Sequence, residues 1–337
     1  MLEGRNSVSA GRTLAMLRTA LGDNITNALD DPKVIEIMVN PDGRLWLDKL
    51  GIGRFDTSER VSPEEGERVV RLVASHINQD VTPRSPIISA ELPVTDDGRG
   101  GERFEGVMPP IVTAPCFSIR KGAVAIFTLD DYVNSGTMTR EQARFLKRAV
   151  KSRKNILIVG GTSSGKTTLA NALLAQISET GDRVLILEDT RELQCQAEDT
   201  VALRTHGKYV TLADLVRSTL RLRPDRIIVG EVRGPEALDM LKAWNTGHPG
   251  GIATIHANSA KAALSRIEQL ILEGVNIAPR DLIAEAIDII LFIKGRGEKR
   301  RIETITQLMS FNGSDYVLEP FIPTTSIPKL TYQGGQS

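Results

Sequence analysis

The chain has 337 residues, of which 41% are apolar and 25% charged, as in ordinary soluble globular proteins and unlike disordered ones. Lysine plus arginine and aspartate plus glutamate both number 42, so no overall charge favours a nucleic acid or an anionic membrane as partner. The two cysteines, Cys116 and Cys195, lack the spacing of a disulfide framework or a structural zinc site.

The N-terminal segment lacks the cationic stretch and unbroken apolar core of a secretory signal. No window approaches the roughly 20 apolar residues that a membrane-spanning helix needs. We therefore expect a cytoplasmic protein that can dock on a membrane from that side.

Residues 1–121 have the pattern of a small α+β domain. Residues 12–30 have the spacing of an amphipathic helix, and the run VIEIMVN-PDG-RLWLDKLG (34–51) predicts two strands around a Pro-Asp-Gly turn.

A second helix of this domain is predicted from its start signal. Ser62 is placed as N-cap, Pro63 as the first helical residue and Glu65 as the third, and the helix is expected to reach about Gln79. Short β-type runs follow from Pro83 to Arg120.

We interpret residues 122–138 as a linker and 139–312 as a second, α/β domain that opens with a helix over 139–152. Continuous β-branched runs in this domain, NILIVGG, DRVLILEDT and DRIIVGE, alternate with helical segments, which is typical of a parallel sheet buried on both faces. The run AIDIILFIK-GRGEK-RRIETITQL predicts a late hairpin. Residues 313–337 show no clear periodicity and are predicted to form an irregular tail.

The segment ILIVGGTSSGKTTLANALL carries the most specific motif, G-x-x-x-x-G-K-[ST], between a strand and a helix. Such a loop holds phosphates with backbone amides at a helix N-terminus. Lys166 is expected to reach the β- and γ-phosphates and Thr167 to supply a hydroxyl to Mg²⁺. The alternative is a Gly-Ser turn that contains a lysine, but the strand and helix favour binding of ATP with Mg²⁺. Nine residues form the predicted cradle: Gly160, Gly161, Thr162, Ser163, Ser164, Gly165, Lys166, Thr167 and Thr168.

Carboxylates follow two other predicted strands. In a doubly wound sheet the carboxyl ends of the strands face the ligand crevice. Glu231 ends DRIIVGE and is placed as the acid of the magnesium site, while Glu188 in VLILEDT is the candidate general base. The alternative for both, and for Asp189 and Glu192, is that they cap the helices that follow.

Two of the four histidines lie in GHPGGIATIHANS. His256 ends a fourth strand-like run, where an imidazole can contact the γ-phosphate. Zinc is the rival interpretation, but the eight-residue spacing and the lack of a third ligand nearby disfavour it. His248, between a glycine and a proline, is expected to shape a turn.

The motifs GGTSSGKTT, ILEDTREL, RPDRIIVGEVRGPEALDMLKAWNTGHPGG and ATIHANSA together resemble the secretion traffic ATPases of type II and type IV secretion and pilus assembly. The resemblance is greatest to the conjugal-transfer branch of TrbB-like proteins, and VIEIMVNPDGRLWLDKLG and SIRKG resemble the N-terminal domain of that family. The absence of a tetracysteine zinc module and of an AIRNLIRE-type motif favours the type IV branch. The resemblance implies a P-loop RecA-like C-terminal domain after a smaller α+β N-terminal domain.

The resemblance also implies roles for individual residues. Glu188 falls in the family's Asp box, which contains the catalytic glutamate. Glu231 takes the acid's place in the Walker B segment. His256 lies in the His box, where it contacts the γ-phosphate and links nucleotide state to movement.

Arginines are the remaining site candidates, because phosphoryl transfer builds negative charge that a guanidinium neutralises, often across a subunit boundary. Arg217 and Arg221 are placed four residues apart on one helix face before the strand of Glu231. The resemblance adds Arg103 and Arg120 from the N-terminal domain as nucleotide contacts, and Arg204 is a weaker candidate. The alternative for each is a surface salt bridge.

Five basic residues cluster on the predicted hairpin turn. A DNA or lipid patch is one interpretation of the cluster, but solvated charges on a turn are the favoured one. The cluster consists of Lys294, Arg296, Lys299, Arg300 and Arg301.

The function expected from the resemblance is a hexameric ATPase, peripheral at the inner face of the bacterial inner membrane, that powers conjugative transfer or type IV secretion. Its expected partners are copies of itself and inner-membrane channel components, without stable binding of nucleic acid. Two alternatives stay open. A RecA-like nucleic-acid motor predicts stimulation by single-stranded DNA and an aromatic-bearing basic groove, yet aromatic residues are only 4% of the chain. A nucleotide-gated scaffold predicts negligible hydrolysis.

Overall fold

A computed structural model describes four stretches of the chain: residues 3–94, 100–122, 126–207 and 209–322. None of the helices in these stretches combines the length and the apolar character that crossing a membrane requires. The chain divides into two compact units: Met1–Ala125 with Thr190–Glu192, and Ile126–Asp189 with Leu193–Ser337.

The first unit has an antiparallel sheet of six described strands in the order β3-β2-β1-β6-β5-β4. Helix α1 begins earlier than the predicted residue 12 and is interrupted at Gly22, whose φ is 72°. Strand β3 was not predicted from the sequence, because its polar residues lack an apolar alternation. The elements are α1 (Glu3–Asp30), β1 (Val34–Val39), β2 (Arg44–Lys49), β3 (Gly53–Arg60), α2 (Pro63–His76), β4 (Ile87–Glu91), β5 (Arg103–Val107) and β6 (Cys116–Arg120).

Helix α2 starts as the sequence predicts. Glu65 N donates to Ser62 Oγ at 3.2 Å, and Ser62 N donates to Glu65 Oε2 at 2.8 Å, which completes a capping box. Val69, Val70 and Val73 bury the inner face of the helix in the core of this unit. The helix therefore has a capped N-terminus and one buried apolar face, as its sequence pattern predicts.

The second unit has one sheet in the order β14-β13-β12-β7-β11-β10-β8-β9, in which the run from β12 to β9 is parallel and β12, β13 and β14 are antiparallel neighbours. A short 3₁₀ turn over Gly297–Lys299 separates β12 from β13. The elements are α3 (Leu129–Asn134), α4 (Arg140–Lys151), β7 (Ile156–Val159), α5 (Lys166–Ile177), β8 (Val184–Glu188), β9 (Thr200–Arg204), α6 (Leu212–Thr219), β10 (Arg226–Val229), α7 (Glu236–Asn245), β11 (Ile252–Ile255), α8 (Ala260–Leu272), α9 (Arg280–Ala286), β12 (Ile289–Lys294), β13 (Arg301–Phe311) and β14 (Tyr316–Pro320).

The central strands of this sheet are buried on both faces. In β7, Ile156 and Ile158 pack into one core cluster while Leu157 and Val159 pack into another on the opposite face. All four residues are buried, so an apolar residue is needed at every position. The predicted parallel sheet and the predicted late hairpin are both confirmed.

Two predicted irregular segments contain regular structure. Within the segment 122–138, predicted as a linker, α3 begins with a capping box at Thr128, and Tyr132 and Met138 are buried in the core of the second unit. Within the predicted tail, β14 pairs with β13, and Tyr316 Oη donates to Glu268 Oε1 at 2.9 Å. Both elements are too short for their periodicity to be recognised. The rest of the tail, residues 323–337, lies outside the described residues.

An ion-paired cluster is buried at the amino ends of β8 and β10. Arg226, 1% exposed, donates from Nε to Asp182 Oδ2 at 2.6 Å and from Nη2 to the carbonyl of Val150 at 3.0 Å. Burial raises the pKa of Asp182, but hydrogen bonds from Thr180 and Arg226 outweigh it and the pKa is lowered. The carboxylate therefore stays ionised beside its guanidinium partner.

Replacing Arg226 by alanine should lower the free energy of unfolding by about 3 kcal/mol, because it removes the buried guanidinium partner of Asp182 and leaves the carboxylate with the partly exposed Arg153 as its remaining charge partner among the described residues. Urea denaturation followed by tryptophan fluorescence measures the change. The matched control is Lys147→Ala, which breaks an exposed pair with Asp130 and should cost no more than about 0.5 kcal/mol. Equal costs for the two variants would contradict the structural role of the buried pair.

Candidate functional site

The predicted phosphate loop joins β7 to α5 in a compact turn. Gly165 is the N-cap of α5 with φ 95°, a left-handed conformation that favours glycine, and no side chain in the described part of the chain makes a capping hydrogen bond there. A Cβ at Gly160 would lie 2.7 Å from the carbonyl oxygen of Ile293, whereas a Cβ at Gly161 would meet nothing within 4 Å. The loop therefore requires glycine at Gly160 and Gly165, the two glycines of the motif. The start of α5 can offer backbone amides to an anion.

The loop residues differ in burial. The buried ones include Lys166, 7% exposed, and Ser164, whose Oγ has no hydrogen-bond partner among the described residues. Of the others, Gly160 is buried, while the tip of the loop is exposed and the start of the helix half-buried: Gly161, Thr162 and Ser163 at the tip, and Gly165, Thr167 and Thr168 at the helix start.

Lys166 connects the loop with the end of β11. Its Nζ donates to the carbonyl oxygens of Gly160 at 3.1 Å and Gly161 at 3.2 Å, and it lies 3.2 Å from His256 Nδ1. The buried ammonium is thereby held at the mouth of the loop. His256 follows β11, which neighbours β7, so the parallel pairing brings it to this place.

A line of charged side chains continues from His256 along the carboxyl edge of the sheet. His256 Nε2 lies 2.6 Å from Glu231 Oε1, although that buried oxygen has no well-aligned hydrogen-bond donor among the described residues. Glu231 Oε2 accepts from Arg233 Nε at 2.9 Å, and Arg233 Nη1 lies 3.7 Å from Asp189 Oδ2. The line links the ends of β11, β10 and β8.

Glu188 lies at the same edge and is 4% exposed. The amide of Leu193 donates to its Oε1 at 2.8 Å, and a Cβ at Gly230 would lie 3.3 Å from that oxygen. The carboxylate is thus oriented beside the residue that precedes Glu231. Glu188 and Glu231 are not the N-caps of the helices that follow them, because the N-cap of α6 is Thr211 and that of α7 is Pro235.

The sequence predicted that Arg217 and Arg221 share one helix face. This prediction is wrong, because α6 ends before Arg221. Arg217 is exposed and pairs with Asp239 at 2.9 Å. Arg183, which precedes β8, donates from Nε to the carbonyl of Leu222 at 3.1 Å. The segment after α6 therefore lies at the amino edge of the sheet, opposite the edge that carries the phosphate loop.

The two arginine candidates of the first unit come together within its sheet. Arg103 of β5 and Arg120 of β6 are register partners. Arg103 Nη1 also lies 3.9 Å from Glu192 Oε1. Like charges directly across an antiparallel pair repel, so an anion bound there would relieve the repulsion. Arg204 ends β9 and is exposed.

Sequence reasoning missed two arginines near the loop. Arg233 follows Glu231 by two residues and contacts its carboxylate. Arg300, assigned with its neighbours to a solvated turn, is instead half-buried, and a Cβ at Gly165 would lie 2.9 Å from its Nε. The parallel pairing of β12 with β7 is the signal that would have found it, because it brings the hairpin turn to the edge of the loop.

Residues 54–294 match the family model described as type II/IV secretion system protein. The chain is 49% identical over 310 residues to a probable conjugal transfer protein TrbB of Sinorhizobium fredii, covering 91% of this chain and 93% of that protein. It is 32% identical over 331 residues to the type IV secretion system protein VirB11 of Bartonella quintana, covering 85% and 91%.

Among solved structures, the pilus retraction motor PilT with bound ADP matches with a TM-score of 0.60 and 20% identity, covering 90% of this chain and 83% of that one. At 20% identity this similarity shows that the two chains share a fold. The fold is accordingly a P-loop RecA-like domain following a smaller α+β domain.

Replacing Gly165 by alanine should weaken ATP binding at least about tenfold, because a left-handed alanine costs about 1–2 kcal/mol and its Cβ would collide with Arg300. The matched control is Gly181→Ala, which carries the same left-handed strain (φ 71°) outside the loop and meets no described atom within 4 Å, so wild-type affinity is expected. Titration calorimetry measures both. Wild-type affinity in Gly165→Ala would show that the loop does not hold the ligand in this conformation.

Proposed function

Because the chain belongs to the family of type II/IV secretion system proteins, we propose that it is an ATP hydrolase that powers type IV secretion in conjugative transfer. ATP hydrolysis would drive assembly of the conjugative pilus or passage of substrate through the secretion channel. The relatives named for conjugal transfer and type IV secretion support this assignment over most of the chain.

The observation that carries the proposal is the placement of Lys166. Its ammonium lies between two carbonyl oxygens of the loop and His256, at the edge where Glu188 and Glu231 also end their strands. A buried cation at a helix start, with two carboxylates and an imidazole nearby, is the set of groups that phosphoryl transfer uses. The loop amides and Lys166 would bind the phosphates.

The donor set fits Mg²⁺, which takes oxygen ligands and keeps several waters. Thr167 supplies a hydroxyl, and Glu231 offers Oε1, a buried carboxylate oxygen that no described donor aligns with. We assign these two residues to the metal, Glu231 through water. When bound, the ion would neutralise charge on the phosphates.

The hydrolytic step is assigned to Glu188. Its carboxylate accepts a proton from water as the water oxygen attacks the γ-phosphorus, and the bond to the β–γ bridging oxygen breaks to give ADP and phosphate. The Leu193 amide fixes the orientation of the carboxylate. His256, in contact with Lys166 and close to Glu231, is positioned to report the γ-phosphate to the rest of the edge.

Assembly into a hexamer would complete the site. Arg221 lies in the segment at the amino edge of the sheet and Arg217 is exposed on α6, so we propose that both act on the nucleotide of a neighbouring copy. Arg103 and Arg120, adjacent across β5 and β6, are proposed to contribute further positive charge to the nucleotide. The proposed partners beyond the ring are inner-membrane components of the channel, reached from the cytoplasmic side.

The variant Glu188→Gln should lower steady-state ATP turnover at least about 100-fold, since an amide cannot accept the proton. ATP affinity should stay near the wild-type value, because the loop and Lys166 are unchanged. A coupled assay of ADP release measures turnover. The matched control is Glu198→Gln, an exposed acid on the same connection between β8 and β9, which should turn over like wild type.

Two results would contradict the proposal. Negligible turnover of wild type, unchanged in Glu188→Gln, would indicate a nucleotide-gated scaffold. Hydrolysis that depends on added single-stranded DNA would indicate a nucleic-acid motor.

A further inference from the structure

Arg300 lies between the turn after β12 and the start of β13, and it packs its guanidinium against the phosphate loop. A Cβ at Gly165 would lie 2.9 Å from both Nε and Cζ of Arg300. Its Nε is buried and has no hydrogen-bond partner among the described residues. A buried donor without an acceptor is costly, and an acceptor on a ligand removes that cost. The position is therefore unlike that of a solvated charge on a turn.

Two further buried polar atoms share this property, one in the loop and one close to Arg300. Tyr132 Oη of α3 and Ser164 Oγ of the loop have no hydrogen-bond partner among the residues described. Burial raises the pKa of Tyr132 to about 12, and the positive charge of Arg300 is close enough to oppose part of that rise. Buried polar atoms without a described partner thus occur in the loop, on Arg300 and on a tyrosine close to Arg300.

The strand order sets the direction in which a nucleotide would lie. Strand β7, which leads into the loop, has β11 on one side and β12 on the other. His256 follows β11, Glu231 follows β10 and Glu188 ends β8, so all three lie on the β11 side. Arg300 lies on the β12 side. With the γ-phosphate at Lys166 and His256, as the proposed function requires, the nucleoside end extends toward the β12 side.

We propose that Arg300 binds the nucleoside monophosphate end of the nucleotide, the part that ATP and ADP share, and not the γ-phosphate. The inference rests on the proposed nucleotide site and adds a binding residue to it. The Nε–H donates to an oxygen of the α-phosphate or the sugar, and the planar guanidinium covers the outer face of the loop at Gly165. Gly165 has a second role in this arrangement, because any side chain there would displace Arg300.

The test is Arg300→Gln, with ATP and ADP affinities measured by titration calorimetry. Both affinities should fall by about tenfold or more, and by the same factor, because the lost hydrogen bond goes to a group common to both ligands. The control is Arg301→Gln, which removes the same charge from the next residue, an exposed side chain paired with Glu303. It should bind both nucleotides like wild type.

Three results would overturn the inference. Unchanged affinities in Arg300→Gln would show that Arg300 makes no contact with the nucleotide. A loss confined to ATP would show that Arg300 contacts the γ-phosphate. A second variant, Arg300→Lys, keeps the charge but lacks the Nε donor, so wild-type affinity in it would contradict the assigned bond. Wild-type protein that binds neither nucleotide would instead refute the proposed function, and the two failures are thereby distinguished.

Discussion

The parallel pairing of β7 with β11 on one side and β12 on the other is the constraint on which the candidate site depends. Parallel strands deliver their carboxyl ends to one edge of the sheet, so residues far apart in sequence meet where the strands end. The phosphate loop, His256 and Arg300 come from three separate segments and are neighbours only because these strands are aligned. Buried apolar residues at every position of β7 hold the alignment in place.

Within that frame, Lys166 is the electrostatic centre of the edge. It contacts the loop carbonyls and His256, and the line then runs through Glu231 to Arg233 and Asp189. A ligand that takes up the charge of Lys166 would change the balance along the whole line, because each member lies within contact distance of the next. This gives a physical route by which the state of the loop can reach the ends of β10 and β8.

Sequence patterns predicted the parts of the candidate site that depend on local rules. The loop motif, the buried strands and the acids after β8 and β10 are each encoded in a few consecutive residues. The pattern failed where tertiary pairing decides the outcome. Arg300 resembled a solvated charge because its burial arises from the pairing of β12 with β7, and Arg221 was placed on a helix that ends before it. Helix α3 and strand β14 are too short for periodicity to reveal them.

The most direct test of the account is an experimental structure of the protein with a non-hydrolysable ATP analogue and Mg²⁺. We expect the triphosphate within the loop at Gly160–Thr168, its γ-phosphate beside Lys166 and His256, and its nucleoside on the β12 side near Arg300. An analogue bound outside the loop, or one in the loop with its nucleoside on the β11 side beside Glu231, would contradict it.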